Sequence, residues 1–258
     1  MDALTGPRIA PGDGTPEQDW LAWLRLRGPA GCTLEELVPK GSRVVVVAPH
    51  PDDEILCAGG LMAMLAQRGH ARLQLVAVSD GTASHPRSTL WTRARLSVAR
   101  PRETREALGR LGVKCEVHRL GLPDGALRRH EDELAERLLG RLDEQDLVVS
   151  TWRHDGHPDH EATGRACARA AMGRKARLLE APVWAWHWAV PGDSRLPWSR
   201  ACALHLDADA AARKLQALRA FDSQLTPDPS TGADPVLRRT QFERAERPFE
   251  IYFRQEGA

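Results

Sequence analysis

Residues 44–54 have the sequence VVVVAPHPDDE, in which four consecutive valines precede a turn that holds one histidine and three carboxylates. A continuous run of β-branched residues is typical of a strand that is buried on both faces of a parallel sheet. Two prolines end the strand and fix the backbone of the turn, and a helix is predicted over residues 54–68. Open α/β sheets bind ligands beyond the carboxyl ends of their strands, so the stretch predicts a site there.

The turn offers the ligand types that zinc binds in proteins. His50 and Asp53 follow the spacing His-x-x-Asp, which places an imidazole nitrogen and a carboxylate oxygen on one rigid turn. Adjacent carboxylates do not easily bind one ion, so we expect one of Asp52 and Asp53 to bind metal and the other to act as a general base. An acidic helix start would explain the carboxylates alone, but not a histidine between two prolines.

A second histidine-rich stretch follows another predicted strand, at residues 146–150. Residues 150–161 have the sequence STWRHDGHPDHE, with a proline suited to the first turn of a helix predicted over residues 158–172. His157 and His160 are three residues apart and lie on one side of that turn, so one can bind metal while the other reaches a substrate. A surface or core role is the alternative for any single histidine.

The two motifs together resemble the LmbE/PIG-L family of zinc-dependent N-acetylglucosaminyl deacetylases. The resemblance covers mainly residues 42–190 and rests on PHPDDE at 49–54 and HPDH at 157–160. Several family members place a tyrosine shortly before the second motif as an extra oxyanion donor. This chain has Trp-Arg-His at 152–154, and its only tyrosine is Tyr252.

The resemblance implies a role for each motif residue. The implied zinc ligands are His50, Asp53 and His160. Asp52 is implied as the general base, and His157 as the residue that assists the transition state. A ligating imidazole commonly donates its other nitrogen to a carboxylate, so Asp155 and Asp159 are candidates for that role. A loop turn and a helix-start charge are equally good explanations of these two acids.

Two further residues are expected to contact the substrate. Asp80 lies in a loop that resembles the second active-site loop of the family. Arg100 begins an Arg-x-x-Glu motif within a predicted helix, and the arginine of this motif faces the substrate in the family, with the nearby Arg102 as an alternative. An ordinary Asp-Gly turn is the alternative for Asp80, and a solvated ion pair is the alternative for Arg100.

A tryptophan-rich segment follows the second motif. Residues 178–188 predict a strand that leads into a loop, on which Trp184, Trp186 and Trp188 share one face. Tryptophan can stack on the apolar face of a sugar ring, so Trp186 and His187 are candidates to border the pocket. Core or rim packing is the alternative.

Alternation of strands and helices predicts the fold class. We expect a single-domain, Rossmann-like α/β fold, with a parallel sheet covered by helices on both faces. Residues 1–41 are expected to form an N-terminal tail with a short appended helix, and residues 42–258 the deacetylase domain. The Gly-x-Gly-x-x-Gly fingerprint is missing, so NAD binding has little support.

Composition excludes several classes of protein. The 36 basic and 35 acidic residues nearly cancel, which argues against a nucleic-acid partner and against a charged membrane surface. The five cysteines lack zinc-ribbon or thioredoxin spacing, as expected for buried thiols in a reducing compartment. No segment reaches transmembrane length, and no signal-peptide pattern is evident. These features predict a cytoplasmic enzyme.

The sequence as a whole predicts a zinc-dependent hydrolase that removes acetyl from an N-acetylated amino sugar or a related conjugate. One alternative is a metal-dependent hydrolase of another amide, an ester or a phosphoester, although a single three-ligand site argues against the usual two-metal phosphoester chemistry. The other is a non-catalytic sugar-binding protein with a vestigial site. Retention of Asp52 argues against it, because binding alone needs no base.

Overall fold

A computed structural model, which describes residues 12–69 and 71–255, places the valine run inside an eight-stranded sheet. The strands are β1 (Gly31–Cys32), β2 (Arg43–Ala48), β3 (Arg72–Ala77), β4 (Glu116–Arg119), β5 (Leu147–Thr151), β6 (Arg177–Ala181), β7 (Ala201–His205) and β8 (Phe249–Arg254). Their order across the sheet is β1-β7-β8-β6-β5-β2-β3-β4. The structure thus confirms the α/β class.

One strand departs from the parallel arrangement. β8 pairs antiparallel with β6 and β7, whereas the other neighbouring strands pair in parallel. Gln241, shortly before β8, lines the same cavity as the residues that follow β2 and β5. The chain therefore enters β8 from the carboxyl edge of the parallel strands and must run in the opposite direction. The predicted parallel sheet is therefore confirmed, with β8 as its one antiparallel strand.

Helices cover both faces of the sheet, as predicted. They are α1 (Glu17–Arg27), α2 (Leu34–Leu37), α3 (Asp53–Arg68), α4 (Arg93–Leu111), α5 (Glu131–Leu139), α6 (Pro158–Arg174), α7 (Ala185–Trp188), α8 (Ala208–Leu218), α9 (Asp222–Leu225) and α10 (Arg239–Ala245). Val44 and Val46 pack in one core layer with residues of α3, α4 and α8. Val45 and Val47 pack in the other layer with residues of α5 and α6.

The order of the strands places a crevice beside β2. From β2 the chain continues to β3 and β4 on one side, and it later adds β5 and β6 on the other side. The connections after β2 and β5 therefore diverge, which is where doubly wound sheets bind their ligands. Both histidine motifs follow these two adjacent strands.

Helix α3, which begins at the first motif, is kinked and anchored by a buried ion pair. Ala58 has φ −146° and ψ 15°, so the helix restarts after it. The carboxylate of Glu250 in β8 accepts the N–H groups of Gly60 and Leu61 at 2.8 and 2.9 Å and caps the second part. Lys214 donates to the same carboxylate at 2.8 Å, which neutralises the buried charge.

The helix predicted near the N-terminus is α1, and it packs closely on the sheet domain. Trp20 is fully buried, and its Nε1 donates to the carbonyl of Trp186 at 2.8 Å. β1 pairs with β7 at the edge of the sheet. Residues 1–11 of the expected tail lie outside the described residues, and the boundary expected after residue 41 stays a prediction. Within residues 12–69 and 71–255, no helix combines the length and the apolar character needed to span a membrane.

Candidate active site

The loops after β2 and β5 bring two imidazoles and one carboxylate together. His50 Nδ1 lies 3.1 Å from Asp53 Oδ2, and His160 Nε2 lies 3.3 Å from the same oxygen. The three candidate ligand atoms lie within 4.8 Å of one another. Two imidazole nitrogens and one carboxylate oxygen are a ligand set found in catalytic zinc sites, so these residues fit a zinc ion.

Carboxylates lie behind both imidazoles. His160 Nδ1 lies 2.7 Å from Asp155 Oδ2, and His50 Nε2 lies 3.2 Å from both Asp159 Oδ2 and Asp124 Oδ1. Contacts of this kind fix the orientation of a ligating ring and leave its other nitrogen for the metal. Asp155 and Asp159 therefore occupy positions from which a carboxylate can orient a metal-binding imidazole.

Asp124 also contacts the cluster, although the sequence does not distinguish it. It lies in the loop after β4, where Asp-Gly indicates no more than a common turn. Its Oδ2 accepts the N–H of Ala83 at 2.6 Å, while Oδ1 faces His50. His50, Asp124 and Asp159 form a second group that could hold a cation. Asp159 already accepts the N–H of Gly125 at 2.7 Å, so its carboxylate is less available for a metal ion.

Asp52 has a strained backbone that its neighbours hold in place. Its φ of 114° is rare for a residue with a side chain, and such conformations persist only where other contacts enforce them. The N–H of Asp52 donates to Glu54 Oε2 at 2.9 Å. Arg100 donates to Asp52 Oδ2 at 2.9 Å, to the carbonyl of Gly81 at 2.9 Å and to the carbonyl of Pro51. Arg100 thus lines the cavity as predicted, but its guanidinium contacts the candidate base.

Burial and mutual attraction shift the pKa values in this cluster. Burial raises the pKa of Asp52 to about 8, although the Arg100 guanidinium opposes the shift. Burial works against protonation of His160, but Asp53 outweighs it and raises the His160 pKa to about 9. The carboxylates around His50 likewise outweigh burial and raise its pKa. In the metal-free protein the surrounding carboxylates therefore favour the protonated form of both imidazoles.

His157 differs from the other two imidazoles. Its Nδ1 accepts the N–H of Asp159 at 3.2 Å, so a neutral ring carries its proton on Nε2. Burial, together with the nearby His160 and His50, lowers its pKa to about 3. The ring stacks on Trp184 with the centroids 6.1 Å apart. His157 thus offers a neutral N–H donor at the cavity.

A cavity of about 280 Å³ opens above the cluster. Beyond the motif residues, its wall is largely apolar and includes Leu56, Val183, Trp184, Val236 and Leu237. An apolar wall with a few converging polar groups is typical of a small-molecule site.

Gln224 supplies one of those polar groups. Its Oε1 is buried and has no hydrogen-bond partner among the described residues, while its Nε2 donates to Ser223 Oγ at 2.8 Å. Ser223 in turn donates to the Glu103 carboxylate from N and from Oγ, at 2.8 and 2.7 Å. Both residues of the Arg-x-x-Glu motif therefore support the site. Arg100 holds Asp52, and Glu103 holds the turn that carries Gln224.

The structure places Asp80 away from the cavity. Its carboxylate accepts hydrogen bonds from Arg119 Nε and Nη2 at 3.0 and 2.7 Å. The prediction that Asp80 lines the pocket is therefore wrong, because a cation on the neighbouring strand β4 binds this carboxylate.

The strand predicted at the start of the tryptophan-rich segment is β6, but the tryptophans themselves lie on a turn of helix, α7, and not on a strand or loop. Asp155 accepts the backbone N–H groups of residues 183–185, each at 2.9 Å, and bends the chain there. Trp184 reaches the cavity, whereas Trp186 is buried against Trp20 with the ring centroids 4.9 Å apart. His187 is also buried, and its carbonyl accepts the N–H of Thr15 at 3.0 Å. Neither Trp186 nor His187 lines this cavity, but Trp186 lines a smaller cavity beside it, so their predicted roles stay predictions.

Trp152, near the family's tyrosine position, and the chain's one tyrosine both lie in the core. Trp152 is buried, and its ring centroid lies 5.1 Å from that of Phe253. The hydroxyl of Tyr252 is also buried and donates to Glu250 at 2.8 Å. Neither side chain supplies an oxyanion donor to the cavity.

Comparison with known proteins finds similar sequences and folds among deacetylases. Residues 45–171 match the family model PIG-L, described as GlcNAc-PI de-N-acetylase. A 2'-N-acetylparomamine deacetylase of Streptomyces fradiae is 32% identical over 158 residues, which cover 55% of this chain and 56% of that protein. A probable N-acetyl-alpha-D-glucosaminyl L-malate deacetylase 2 of Bacillus cereus is 29% identical over 136 residues, which cover 49% of this chain and 60% of that protein.

The chain thus spans less than two thirds of the length of these curated relatives. Among solved structures, the zinc-inhibited form of teicoplanin deacetylase Orf2 has a similar fold, with a TM-score of 0.63 at 21% identity. The similarity covers 84% of this chain and 100% of that one. The resemblance inferred from the paired motifs is therefore confirmed, and it is strongest over residues 45–171, which match the PIG-L family model.

Proposed function

We propose that the protein is a zinc-dependent N-deacetylase that hydrolyses the acetamido group of an amino sugar or a conjugate of one. One observation carries the proposal. A strained, buried carboxylate, Asp52, adjoins a zinc-type ligand set at the bottom of an apolar cavity. A protein that only bound sugars would not need this carboxylate.

The metal would be held by His50 Nδ1, Asp53 Oδ2 and His160 Nε2, with Asp155 and Asp159 orienting the two rings. When bound, zinc supplies a Lewis acid that polarises the amide carbonyl and lowers the pKa of a water molecule.

Asp52 is suited to accept the proton of the attacking water when it is ionised. Burial favours its protonated form in the metal-free protein, and the charge of a bound zinc ion would favour the ionised form. Arg100 occupies Asp52 Oδ2 at 2.9 Å, which leaves Oδ1 available and holds the side chain in one orientation. The proton that Asp52 accepts can then pass to the leaving nitrogen. The C–N bond breaks as that nitrogen is protonated, and the products are acetate and a free amine.

His157 is suited to stabilise the tetrahedral intermediate. Its Nδ1 is occupied by the N–H of Asp159, so Nε2–H can donate to the oxygen on which negative charge develops. The chain has no tyrosine at the cavity, so this imidazole carries the role that family members share with a tyrosine.

Trp184 and Gln224, which line the cavity, are suited to hold a sugar ring. Trp184 offers an apolar face, and Gln224 offers a buried Oε1 that a ring hydroxyl can satisfy. An unpaired acceptor of this kind favours a ligand that brings a donor. We propose these two residues, in place of Asp80, Trp186 and His187, as the ring contacts.

The proposal is tested by release of free amine. The zinc-loaded protein should deacetylate at least one member of a panel of N-acetylated amino sugars and their glycosides, and removal of zinc with a chelator should abolish the activity. Hydrolysis of simple esters or phosphoesters without any amine release would favour the other hydrolase classes. The compartment stays a prediction that rests on the free cysteines.

A further inference from the structure

Helix α10 carries a buried arginine whose charge is not neutralised by a neighbouring carboxylate. Arg244 is 8% exposed, and its Nη2 donates to the carbonyl of Thr15 at 3.0 Å. Its Nε and Nη1 are buried and have no hydrogen-bond partner among residues 12–69 and 71–255. A buried guanidinium with unused donors is unfavourable unless an anion binds it.

The acidic residues near Arg244 are already paired with other cations. Glu17 accepts two hydrogen bonds from Arg247, at 2.7 and 2.6 Å. Glu243 accepts one from Arg239 at 2.6 Å. Arg247 also adds a second positive charge close to Arg244, so the surroundings of Arg244 favour an incoming anion.

Arg244 borders a small cavity of about 50 Å³, which adjoins the active site. Leu56, Val183 and Gln241 line both this cavity and the larger one above the metal ligands. Leu56 lies one helical turn beyond Asp53, so the two spaces meet close to the proposed metal. The volume exceeds that of one water molecule and admits a group of a few heavy atoms.

We propose that Arg244 forms a subsite for a carboxylate carried by the group that is attached to the amino sugar. The inference rests on the proposed deacetylase function and specifies its substrate class as an anionic conjugate. The small volume favours a planar carboxylate over a phosphate ester. Charged hydrogen bonds from a desolvated guanidinium would position the conjugate while its acetamido group lies at the metal ligands.

Kinetics on two matched glycosides test the subsite. The substrates are the methyl and the carboxymethyl glycosides of N-acetylglucosamine, which differ by one carboxylate. Arg244→Gln should lower kcat/KM for the carboxymethyl glycoside by roughly 10- to 100-fold, mainly through KM, because bonds from a charged donor are lost. The value for the methyl glycoside should change by less than about threefold. Equal losses on both glycosides would overturn the proposal.

Two further variants serve as controls. Arg169→Gln removes a half-exposed arginine of α6 that pairs with Asp132, and it should leave both substrates unaffected. Arg244→Lys keeps the charge and a donor for Thr15, so it should retain part of the preference for the carboxymethyl glycoside. A lysine variant that is as impaired as the glutamine variant on both substrates would indicate a structural role and contradict the proposal.

A binding measurement separates the subsite from the catalytic proposal. Carboxymethyl glucoside lacks the acetamido group and cannot be hydrolysed, so its effect on Tm reports binding alone. It should raise the Tm of the zinc-loaded protein but not that of Arg244→Gln, and methyl glucoside should raise neither. An equal shift in both proteins would refute the subsite. Absence of amine release from every substrate, with the Tm difference intact, would refute only the deacetylase function. If Arg244→Gln lowers kcat/KM for N-acetylglucosamine 1-phosphate more than for the carboxymethyl glycoside, the subsite binds a phosphate and the proposal of a carboxylate is wrong.

Discussion

Asp155→Asn should both destabilise the fold and weaken zinc binding. The Asp155 carboxylate accepts the N–H groups of Val183 and Ala185 on Oδ1, and that of Trp184 together with His160 Nδ1 on Oδ2. An asparagine has one acceptor oxygen and one NH₂ group. In either orientation, the NH₂ faces two donors, so two of the four hydrogen bonds are lost.

The size of the effect follows from those two bonds. Each is a hydrogen bond to a buried charged group, worth about 1.5–3 kcal/mol, so the free energy of unfolding should fall by roughly 3–6 kcal/mol. Loss of the partner of His160 should also weaken zinc affinity by roughly 10- to 100-fold. Urea denaturation of the metal-free protein measures the first effect, and competition with a zinc chelator measures the second.

Asp132→Asn is the matched control for Asp155→Asn. The Asp132 side chain is 89% exposed and pairs only with Arg169 on the surface. An exposed ion pair contributes about 0–1 kcal/mol, so this variant should be close to wild type in both assays. If Asp155→Asn also unfolds at the wild-type urea concentration and binds zinc with wild-type affinity, then Asp155 neither anchors the loop nor orients His160.

Two other predictions follow from the site. Trp184→Ala should raise KM for a sugar substrate more than for a minimal acetamide, whereas Trp186→Ala should lower the free energy of unfolding by roughly 3–5 kcal/mol and leave the KM of the folded enzyme for the uncharged methyl glycoside unchanged. The reverse pattern would exchange their roles. Zinc binding at pH 7 should release roughly two protons, because His50 and His160 have raised pKa values, and zinc affinity should fall as the pH falls. Calorimetry in buffers of different ionisation enthalpy measures this release, and identical heats would contradict it.

The sequence was sufficient to predict the central strand and the proximity of the two motifs. Four valines in succession leave no polar face, so β2 had to be buried on both sides. A ligand-rich turn after one buried strand and a histidine pair after another then implied a shared site at the carboxyl edge. These features depend on local sequence and on the general geometry of α/β sheets.

The features that were predicted wrongly or missed depend on contacts between distant residues. The alternation around Trp186 favours a strand, but Asp155, about 30 residues away, accepts the N–H groups that a strand would have paired. Asp80 is bound by Arg119 of β4, a contact that a turn-forming Asp-Gly pair does not reveal. No sequence pattern distinguishes Arg244 from the other arginines, because its burial depends on how α10 packs against residues near Thr15.

Parallel measurement of bound zinc and amine release in Asp52→Asn tests whether Asp52 is the base beside the metal and not one of its ligands. Asparagine keeps the shape of the side chain but cannot take a proton from water. The variant should fold, bind one zinc per chain as the wild type does, and lose roughly 10²- to 10⁴-fold in kcat. A variant that keeps wild-type turnover, or that loses zinc while Asp53→Asn retains it, would contradict the assignment of Asp52 as the base beside a metal held by His50, Asp53 and His160.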